Sequence, residues 1–451
     1  MRGQDRNSRA GTVSQDGATP PVLAAVPASS AGYRLRWAAE WVRERFWVIP
    51  AALLVLGTGL AVLTAGAPGS WHLWDGGLPA DAGWSSGFLE SIASATLTFL
   101  AVVFTLTLVA LQLASSQLSP RVIRTFVRSG VTKVAFGTLL AAFSYSVTAL
   151  VIIHGRGGPA ASRAVTVAAV LVGASLVVFL RYVASMMGLL QVVSVIAAVA
   201  RDTKSAFAAC WLDPQACRLA AGPALADDPV LLRLPPAGRA GRRREPGRVL
   251  GVDHARLTEL ARRHDCVIEL TVRAGEFVPG GGVLAAVHHG TVPARAVAAG
   301  ISFGRGRTLY QDPAFGLRQL ADIAAQALSP AVNQPTTAVL VIDSLEDVLL
   351  QIAPYPDQSG CYADREGTVR LVQPVPGWDT YLDLAFTEIT AYGASSPQVS
   401  RRLLAAYSAL DAAAGPSRRA SLAARRDELT RQLAGSGLGP AALRPDPMGL
   451  G

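Results

Sequence analysis

The chain has 451 residues, enough for two or three domains, and its 51% apolar and 16% charged residues exclude an ordinary soluble protein. Its formal net charge of +9 comes largely from arginine, which in a membrane protein first indicates topology and anionic lipid headgroups. The four cysteines form no CxxC pair and match no zinc spacing, so no metal site and no cofactor is predicted.

The first 32 residues are small and polar, which predicts a disordered tail, and residues 33–205 follow as a membrane domain. Segment 33–47 mixes aromatic residues and arginines, and is either an interfacial helix or a charged flank. Four segments have the roughly 17–25 apolar residues that a membrane-spanning helix needs. These spans are predicted at about residues 46–66, 88–114, 132–153 and 164–185.

The last predicted span has an unusual continuation, because apolar sequence runs from Ala164 to Ala200 without a turn signal. One helix of that length would measure about 55 Å, more than the hydrocarbon core of a bilayer. We therefore predict that Arg181 lies near the cytosolic interface and that the helix projects from the membrane to about residue 200. Its apolar faces would be covered by the soluble domain or by other subunits.

The charges of the connecting loops predict the orientation. Four arginines lie at 34–45, before the first span, whereas the loop at 67–87 contains neither lysine nor arginine. The connection at 115–131 and the segment after the last span are basic again. Since cytosolic loops carry the excess of lysine and arginine, both termini and the C-terminal region are expected in the cytosol.

Polar residues follow one side of the second span. At about 100° per residue, six of them share a narrow stripe: Ser91, Ser94, Thr98, Thr105, Gln112 and Ser116. Either they let helices pack closely and hydrogen-bond, or they line a water-filled path in an oligomer. The stripe has no acid or base in mid-membrane, which argues against an energised transporter. Four spans per chain enclose little space, so a pore would require oligomerisation.

The C-terminal half reads as a soluble α+β domain. Residues 206–247 are rich in Pro, Gly and Arg and are predicted as a linker; their basic cluster lacks interleaved aromatic residues, which argues against nucleic-acid binding. Residues 248–300 read as a small β-rich subdomain, 301–434 as a mainly helical one, and 435–451 as a disordered tail. The predicted fold class is therefore a membrane α-helical protein with four transmembrane helices and a cytosolic α+β C-terminal domain.

The densest polar segment is 301–353, where Asp312 before Pro313 predicts a helix N-cap. Helix caps and i,i+4 pairs explain most of its polar side chains. Alternatively, these side chains form a cytosolic cluster that binds an ion or small ligand, or docks on the membrane domain. The members of this polar cluster are Arg307, Thr308, Gln311, Asp312, Arg318, Asp322, Asn333 and Thr336. No nucleophile–base pair stands out, so neither an enzyme nor catalytic residues are predicted.

Two long motifs carry a family resemblance: VVFTLTLVALQLASSQLSPRVIRTF at 102–126 and RTLYQDPAFGLRQLADIAAQALSPAVNQPTTA at 307–338. Over roughly residues 40–430 the chain resembles the bacterial predicted membrane proteins catalogued as domain of unknown function 2254. The resemblance implies a multi-pass protein of the bacterial inner membrane with a cytosolic C-terminal domain. It implies no activity. Where the family usually has Asp before the Pro of the second motif, this chain has Gln334.

Two functions are compatible with these features. The first is a homo-oligomeric, passive, channel-like or permeation protein in the lipid bilayer, for which the polar stripe and the overlong fourth span are the reasons. The alternative is a membrane-anchored scaffold or sensor whose cytosolic domain binds a ligand or a protein partner. Nucleic acid is not an expected partner of either.

Overall fold

The structure is a computed structural model that describes most of the chain. The described residues are 42, 45–66, 81–117, 130–154, 159–189, 191–210, 225, 228–234 and 247–435. The predicted tail at 1–32 lies outside them, as do most of segment 33–47 and most of the predicted linker. Of the predicted tail at 435–451 only Gly435 is described, and it ends a helix.

Among the described residues, four helices are long and apolar enough to cross a membrane, which confirms the four predicted spans. They are α1 (Val48–Gly66), α2 (Ala82–Gln117), α3 (Gly130–Ile153) and α4 (Pro159–Leu189). Two of them begin about five residues earlier than the apolar pattern predicts. The carboxylate of Asp81 accepts a hydrogen bond from the Trp84 N–H at 2.9 Å, and Pro159 stands at the first position of α4. Both are features of helix starts.

Helix α3 is the centre of the membrane bundle. Half of the residues in its apolar stretch are buried (50%), compared with 22%, 17% and 22% in α1, α2 and α4. Its closest neighbour is α1. A Cβ atom at Gly57 of α1 would lie 2.5 Å from the carbonyl oxygen of Ala141, and one at Gly137 of α3 would collide with Leu53. The Ser144 hydroxyl donates to a carbonyl of α1 at 3.1 Å. Small residues thus allow the backbones of α1 and α3 to approach closely.

Two buried tyrosines tie the membrane helices together. The hydroxyls of Tyr145 on α3 and Thr64 on α1 are 2.8 Å apart. The hydroxyls of Tyr182 on α4 and Thr107 on α2 are 2.7 Å apart, and Tyr182 also donates to the Val103 carbonyl at 3.1 Å. These hydrogen bonds satisfy polar groups that lipid would leave without partners.

The prediction of one helix continuing to about residue 200 is wrong. Helix α4 ends at Leu189, and a separate helix, α5 (Val192–Cys210), begins after a bend at Gln191. The physical reason is that the distribution of apolar residues changes between the two helices. Helix α4 is apolar on most sides, whereas α5 has one apolar face. That face, which includes Val199 and Phe207, is buried in the core of the soluble domain, so α5 follows the domain instead of continuing the direction of α4.

The strands that the structure describes form two sheets, with the orders β1-β5-β3-β8-β7 and β4-β2-β6. Their bounds are β1 (Val230–Arg233), β2 (Gly247–Val252), β3 (Val267–Leu270), β4 (Phe277–Val278), β5 (Val283–His288), β6 (Ile301–Gly304), β7 (Cys361–Ala363) and β8 (Val369–Val372). Strands β3 and β8 are parallel, and the other paired strands are antiparallel.

These sheets correct the predicted subdomain boundaries. Strand β1 lies inside the predicted linker, 206–247, and pairs with β5. Strands β7 and β8 lie inside the predicted helical subdomain, 301–434, yet they complete the same sheet through β3. The predicted β-rich subdomain, 248–300, is therefore too narrow. Local sequence patterns do not reveal the full extent of the sheet, because the pairing of β3 with β8 joins segments about a hundred residues apart.

The helices of the soluble domain are α6 (His254–Arg263), α7 (Ala294–Ala299), α8 (Pro313–Ala327), α9 (Pro335–Leu350), α10 (Trp378–Leu382), α11 (Glu388–Gly393), α12 (Pro397–Ala413) and α13 (Pro416–Gly435). A π-helical turn, Asp383–Thr387, joins α10 to α11. The predicted cap is confirmed, since the Asp312 carboxylate accepts the Phe315 N–H and Pro313 follows it. Helices α8 and α9 form a helical core with α5, and a second core lies beside the sheets.

Candidate functional site

A cavity of about 560 Å³ lies where α5 ends against the soluble domain. Its walls come from separate parts of the chain: residues 208–210, 252–255, 273–274, 310–314 and 373–376. The volume is within the range of small-molecule binding sites. The cavity thus touches the last turn of α5, the first turns of α6 and α8, and the loops beside the sheets.

The wall at the start of α8 is held by an ion pair and a side-chain amide. Arg307 donates to both carboxylate oxygens of Asp312, at 2.8 and 2.9 Å. Burial raises the pKa of Asp312, and the hydrogen bonds from Arg307 oppose that rise. The Gln311 amide extends strand β2, because it accepts from the N–H of Val252 at 2.7 Å and donates to the carbonyl of Val252 at 3.1 Å.

His254 begins α6 and also lines the cavity. Its Nε2 lies 2.6 Å from Oε1 of Gln373, and its ring stacks on Tyr362 with centroids 4.2 Å apart. Because an amide oxygen only accepts, Nε2 carries the proton and Nδ1 remains an acceptor. Burial lowers the pKa of His254 to about 4, partly offset by the Gln373 hydrogen bond. The imidazole is therefore neutral near pH 7.

This neutral imidazole predicts a pH effect on stability. The fold lowers the pKa of His254 from its ordinary value of 6.5 to about 4. Between pH 4 and pH 6.5 the unfolded chain therefore binds more protons than the folded chain. The stabilisation is fully present above about pH 6.5 and is lost as the pH falls toward 4. We expect wild type to lose roughly 2 kcal/mol across this window relative to His254→Gln. Urea denaturation of both proteins from pH 7.5 to 4.5 measures the difference, and parallel curves would contradict it.

The end of α5 contributes uncharged groups. Burial raises the pKa of the Cys210 thiol to about 12, and the negative charge of Asp312 adds to the rise. The Cys210 carbonyl accepts a hydrogen bond from the Gln358 amide at 2.9 Å. Burial also raises the pKa of the Tyr381 phenol. A thiol and a phenol that stay protonated have no reactive anion to offer near neutral pH.

The structure does not bring the predicted polar cluster together as one site. Gln311 and Asp312 line the cavity, and Arg307 pairs with Asp312. Thr308 is buried, and its hydroxyl has no partner among the described residues. The other four members do not line the cavity. Helix α8 starts at the cavity wall and is 15 residues long, or about 22 Å, so residues along it and beyond its end lie away from the cavity.

On one side of α8, Arg318 pairs with Asp322 at 3.6 Å and with Glu388 at 2.7 Å. Asn333 and Thr336 are exposed near the start of α9, beyond the far end of α8. Arg318 and Asp322 thus form the i,i+4 pair that their spacing predicts, whereas no side-chain cap is formed at the start of α9. Sequence reasoning assigned no role to Arg273, Gln373 or His254, which reach the cavity from segments far apart in the chain.

The polar stripe of α2 faces away from the other membrane helices. Ser91, Ser94, Thr98, Thr105 and Gln112 are all exposed in the single chain, and the side chain of Ser116 lies outside the described residues. The buried residues of α2 lie roughly 150° around the helix, at about 100° per residue; they include Leu89, Ile92, Thr96, Val103 and Ala110. The stripe is therefore free to contact lipid or another molecule.

Three hydroxyls of the stripe are satisfied by their own helix. Ser91, Thr98 and Thr105 each donate to the carbonyl four residues earlier, at 2.8, 3.0 and 2.9 Å. Among the described residues, none of these three hydroxyls bonds to a second helix. Packing against α3 or α4 thus does not explain the stripe.

Comparisons with known proteins agree with this architecture. The family model described as predicted membrane protein, domain of unknown function 2254, matches residues 43–409. An uncharacterized protein of Mycobacterium bovis and one of Mycobacterium tuberculosis are each 30% identical over 419 residues, which is 88% of this chain and 78% of the relative. No solved structure matches significantly. The chain therefore belongs to the family of predicted membrane proteins that carry domain of unknown function 2254.

Proposed function

We propose that this membrane protein is a sensor: its soluble domain binds a small ligand in the cavity, and α5 relays occupancy to the membrane helices. One observation carries the proposal. The last turn of α5 forms a wall of the cavity, while its first turn follows the last membrane span, α4, after only residues 190 and 191. A ligand that moves α5 would therefore act on α4 directly.

Contacts along α5 support a rigid relay. Gly316 of α8 lies so close to Thr203 that a Cβ atom would collide with the threonine side chain. Lys204 forms an ion pair with Asp347 at 2.5 Å. The ring of Phe207 packs edge-on against Tyr381, a cavity residue, with centroids 5.2 Å apart. Packed contacts of this kind transmit displacement, because protein interiors have low compressibility.

The loop charges favour an inner-membrane location, with both termini and the cavity in the cytosol. The loop at 67–87 lacks basic residues, whereas the segments flanking the bundle on the other side are rich in them. In this orientation the sensor reads a cytosolic ligand.

Filling the cavity tests the relay without knowledge of the ligand. Ala209 lines the cavity, so Ala209→Trp should occupy part of it and imitate a bound state. We expect altered amide hydrogen exchange in α5 and in residues 178–187 of α4. Ser205 lies on the same helix, is exposed and lies outside the cavity walls, so Ser205→Trp is the matched control. Changes confined to the soluble domain would refute the relay.

A second candidate function is passive permeation by a homo-oligomer. The outward direction of the polar stripe favours it, because a second copy could cover that stripe or share a water-filled path with it. Crosslinking in native membranes should then yield defined oligomers, and Thr105→Trp should lower conductance in liposomes without loss of folded protein. A monomer in the membrane, or liposomes that stay silent to all ions tested, would exclude this candidate.

A further inference from the structure

We propose that the cavity binds a small organic anion with a flat, apolar body. The inference rests on the proposed ligand-binding role of the cavity and adds the chemical class of the ligand. Its basis is an excess of hydrogen-bond donors that the protein itself leaves unused.

The first donor is the guanidinium group of Arg273. This residue lines the cavity and is exposed. Its backbone N–H faces Glu276 at 3.3 Å, but no described residue forms an ion pair or hydrogen bond with its side chain. Its charge nevertheless reaches the cavity groups, since it lowers the pKa of Asp312 and of Tyr381 in opposition to burial. An anion in the cavity would gain a partner for this cation.

The second donor is the amide of Gln373, an independent observation. Gln373 lines the cavity and is only 7% exposed. Its Oε1 is engaged by His254, whereas its amide nitrogen has no hydrogen-bond partner among the described residues. The amide nitrogen therefore keeps a donor at the cavity wall that no described residue uses. A ligand acceptor in the cavity would satisfy it.

Two helix N-termini add to the donor excess. Helices α6 and α8, of 10 and 15 residues, both begin in the cavity wall, and the N-terminal end of a helix carries partial positive charge. The caps Asp253 and Asp312 satisfy the N–H groups of Arg256 and Phe315. The N–H groups of His254, Ala255 and Ala314 have no partner within their helix, and Pro313 has no N–H.

The remaining groups disfavour a cation and supply an apolar surface. Both carboxylate oxygens of Asp312 are held by Arg307, and Asp253 is used as a cap. Tyr310, Tyr362 and Tyr381 line the cavity, and aromatic faces favour flat apolar groups. A ligand that combines a carboxylate or phosphate with a ring therefore fits the walls better than a bare ion.

Three probes of nearly the same shape separate charge from shape: benzoate, benzamide and benzamidine, which are anionic, neutral and cationic near pH 7. Calorimetric titration of the purified full-length protein in detergent should give benzoate the tightest binding, by about tenfold. Arg273→Gln should weaken benzoate binding by about tenfold, and Arg295→Gln, an exposed arginine outside the cavity, should leave it unchanged. Inorganic phosphate, an anion without a ring, should bind more weakly than benzoate.

Several results would overturn the proposal: equal or tighter binding of benzamide or benzamidine, benzoate binding unaffected by Arg273→Gln, or no binding of any probe. Gln373→Met, which removes the amide nitrogen, is a second check and should also weaken benzoate. The same experiment distinguishes failure of the sensor function from failure of the anion site. If benzoate binds through Arg273 but leaves hydrogen exchange in α4 unchanged, the anion site stands and the relay does not.

Discussion

Replacing Gly57 by leucine is expected to abolish the native packing of α1 on α3. A Cβ atom there would lie 2.5 Å from the Ala141 carbonyl oxygen and 2.9 Å from the Ala141 Cα atom. Both are backbone atoms, so the helices must separate, and α3 is the centre of the bundle. Overpacking of this kind costs about 3 kcal/mol. The measurement is the yield of monodisperse protein in detergent together with its thermal unfolding midpoint.

Gly59 offers a matched control on the same helix, since no atom lies within 4 Å of a Cβ atom placed there. Gly59→Leu should therefore retain the wild-type yield and midpoint. Both leucines add the same apolar surface and the same helix propensity. Equal behaviour of the two variants would show that α1 and α3 do not approach as closely as described.

The second large effect is expected at Gly316, where α8 meets α5. A Cβ atom would collide with the side chain of Thr203, which is fully buried and cannot move aside. Gly316→Ala should therefore push α5 away and lower the free energy of unfolding by about 2 kcal/mol, although alanine favours the helix by up to about 1 kcal/mol. Denaturant unfolding of the full-length protein measures the loss.

A compensating substitution makes this prediction specific. Thr203→Gly creates space for the alanine, so the double variant Thr203→Gly, Gly316→Ala should be more stable than the sum of the two single effects predicts. Residues in contact couple in this way, whereas distant sites add. Strict additivity of the two free-energy changes would mean that α5 and α8 are not in contact at this point.

The membrane spans and the start of α8 could be predicted because they depend on local sequence. A spanning helix needs only length and apolar composition, and the cap at Asp312 needs only the residues that follow it. The break between α4 and α5 was not predicted, because residues 190 and 191 are Leu and Gln and the nearby Gly188 is of a type common inside membrane helices. What determines it is the soluble core that covers α5.

The cavity could not be predicted from local sequence, because its walls come from segments that are far apart in the chain. His254 and Gln373 are more than a hundred residues apart, and their hydrogen bond exists only because β3 and β8 lie side by side. The periodicity of α2 correctly placed Ser91, Thr98 and Thr105 on one face. It could not say which face, and in the structure that face points away from the bundle.

The central claim is that α5 couples the cavity to the membrane helices. The most direct measurement is the distance between spin labels, introduced as non-natural amino acids at two exposed positions, Leu180 on α4 and Tyr392 on α11. Pulsed electron resonance would compare wild type with Ala209→Trp. Coupling predicts that the distance distribution shifts when the cavity is filled, while Ser205→Trp leaves it unchanged. Superimposable distributions for wild type and a folded Ala209→Trp protein would contradict the claim.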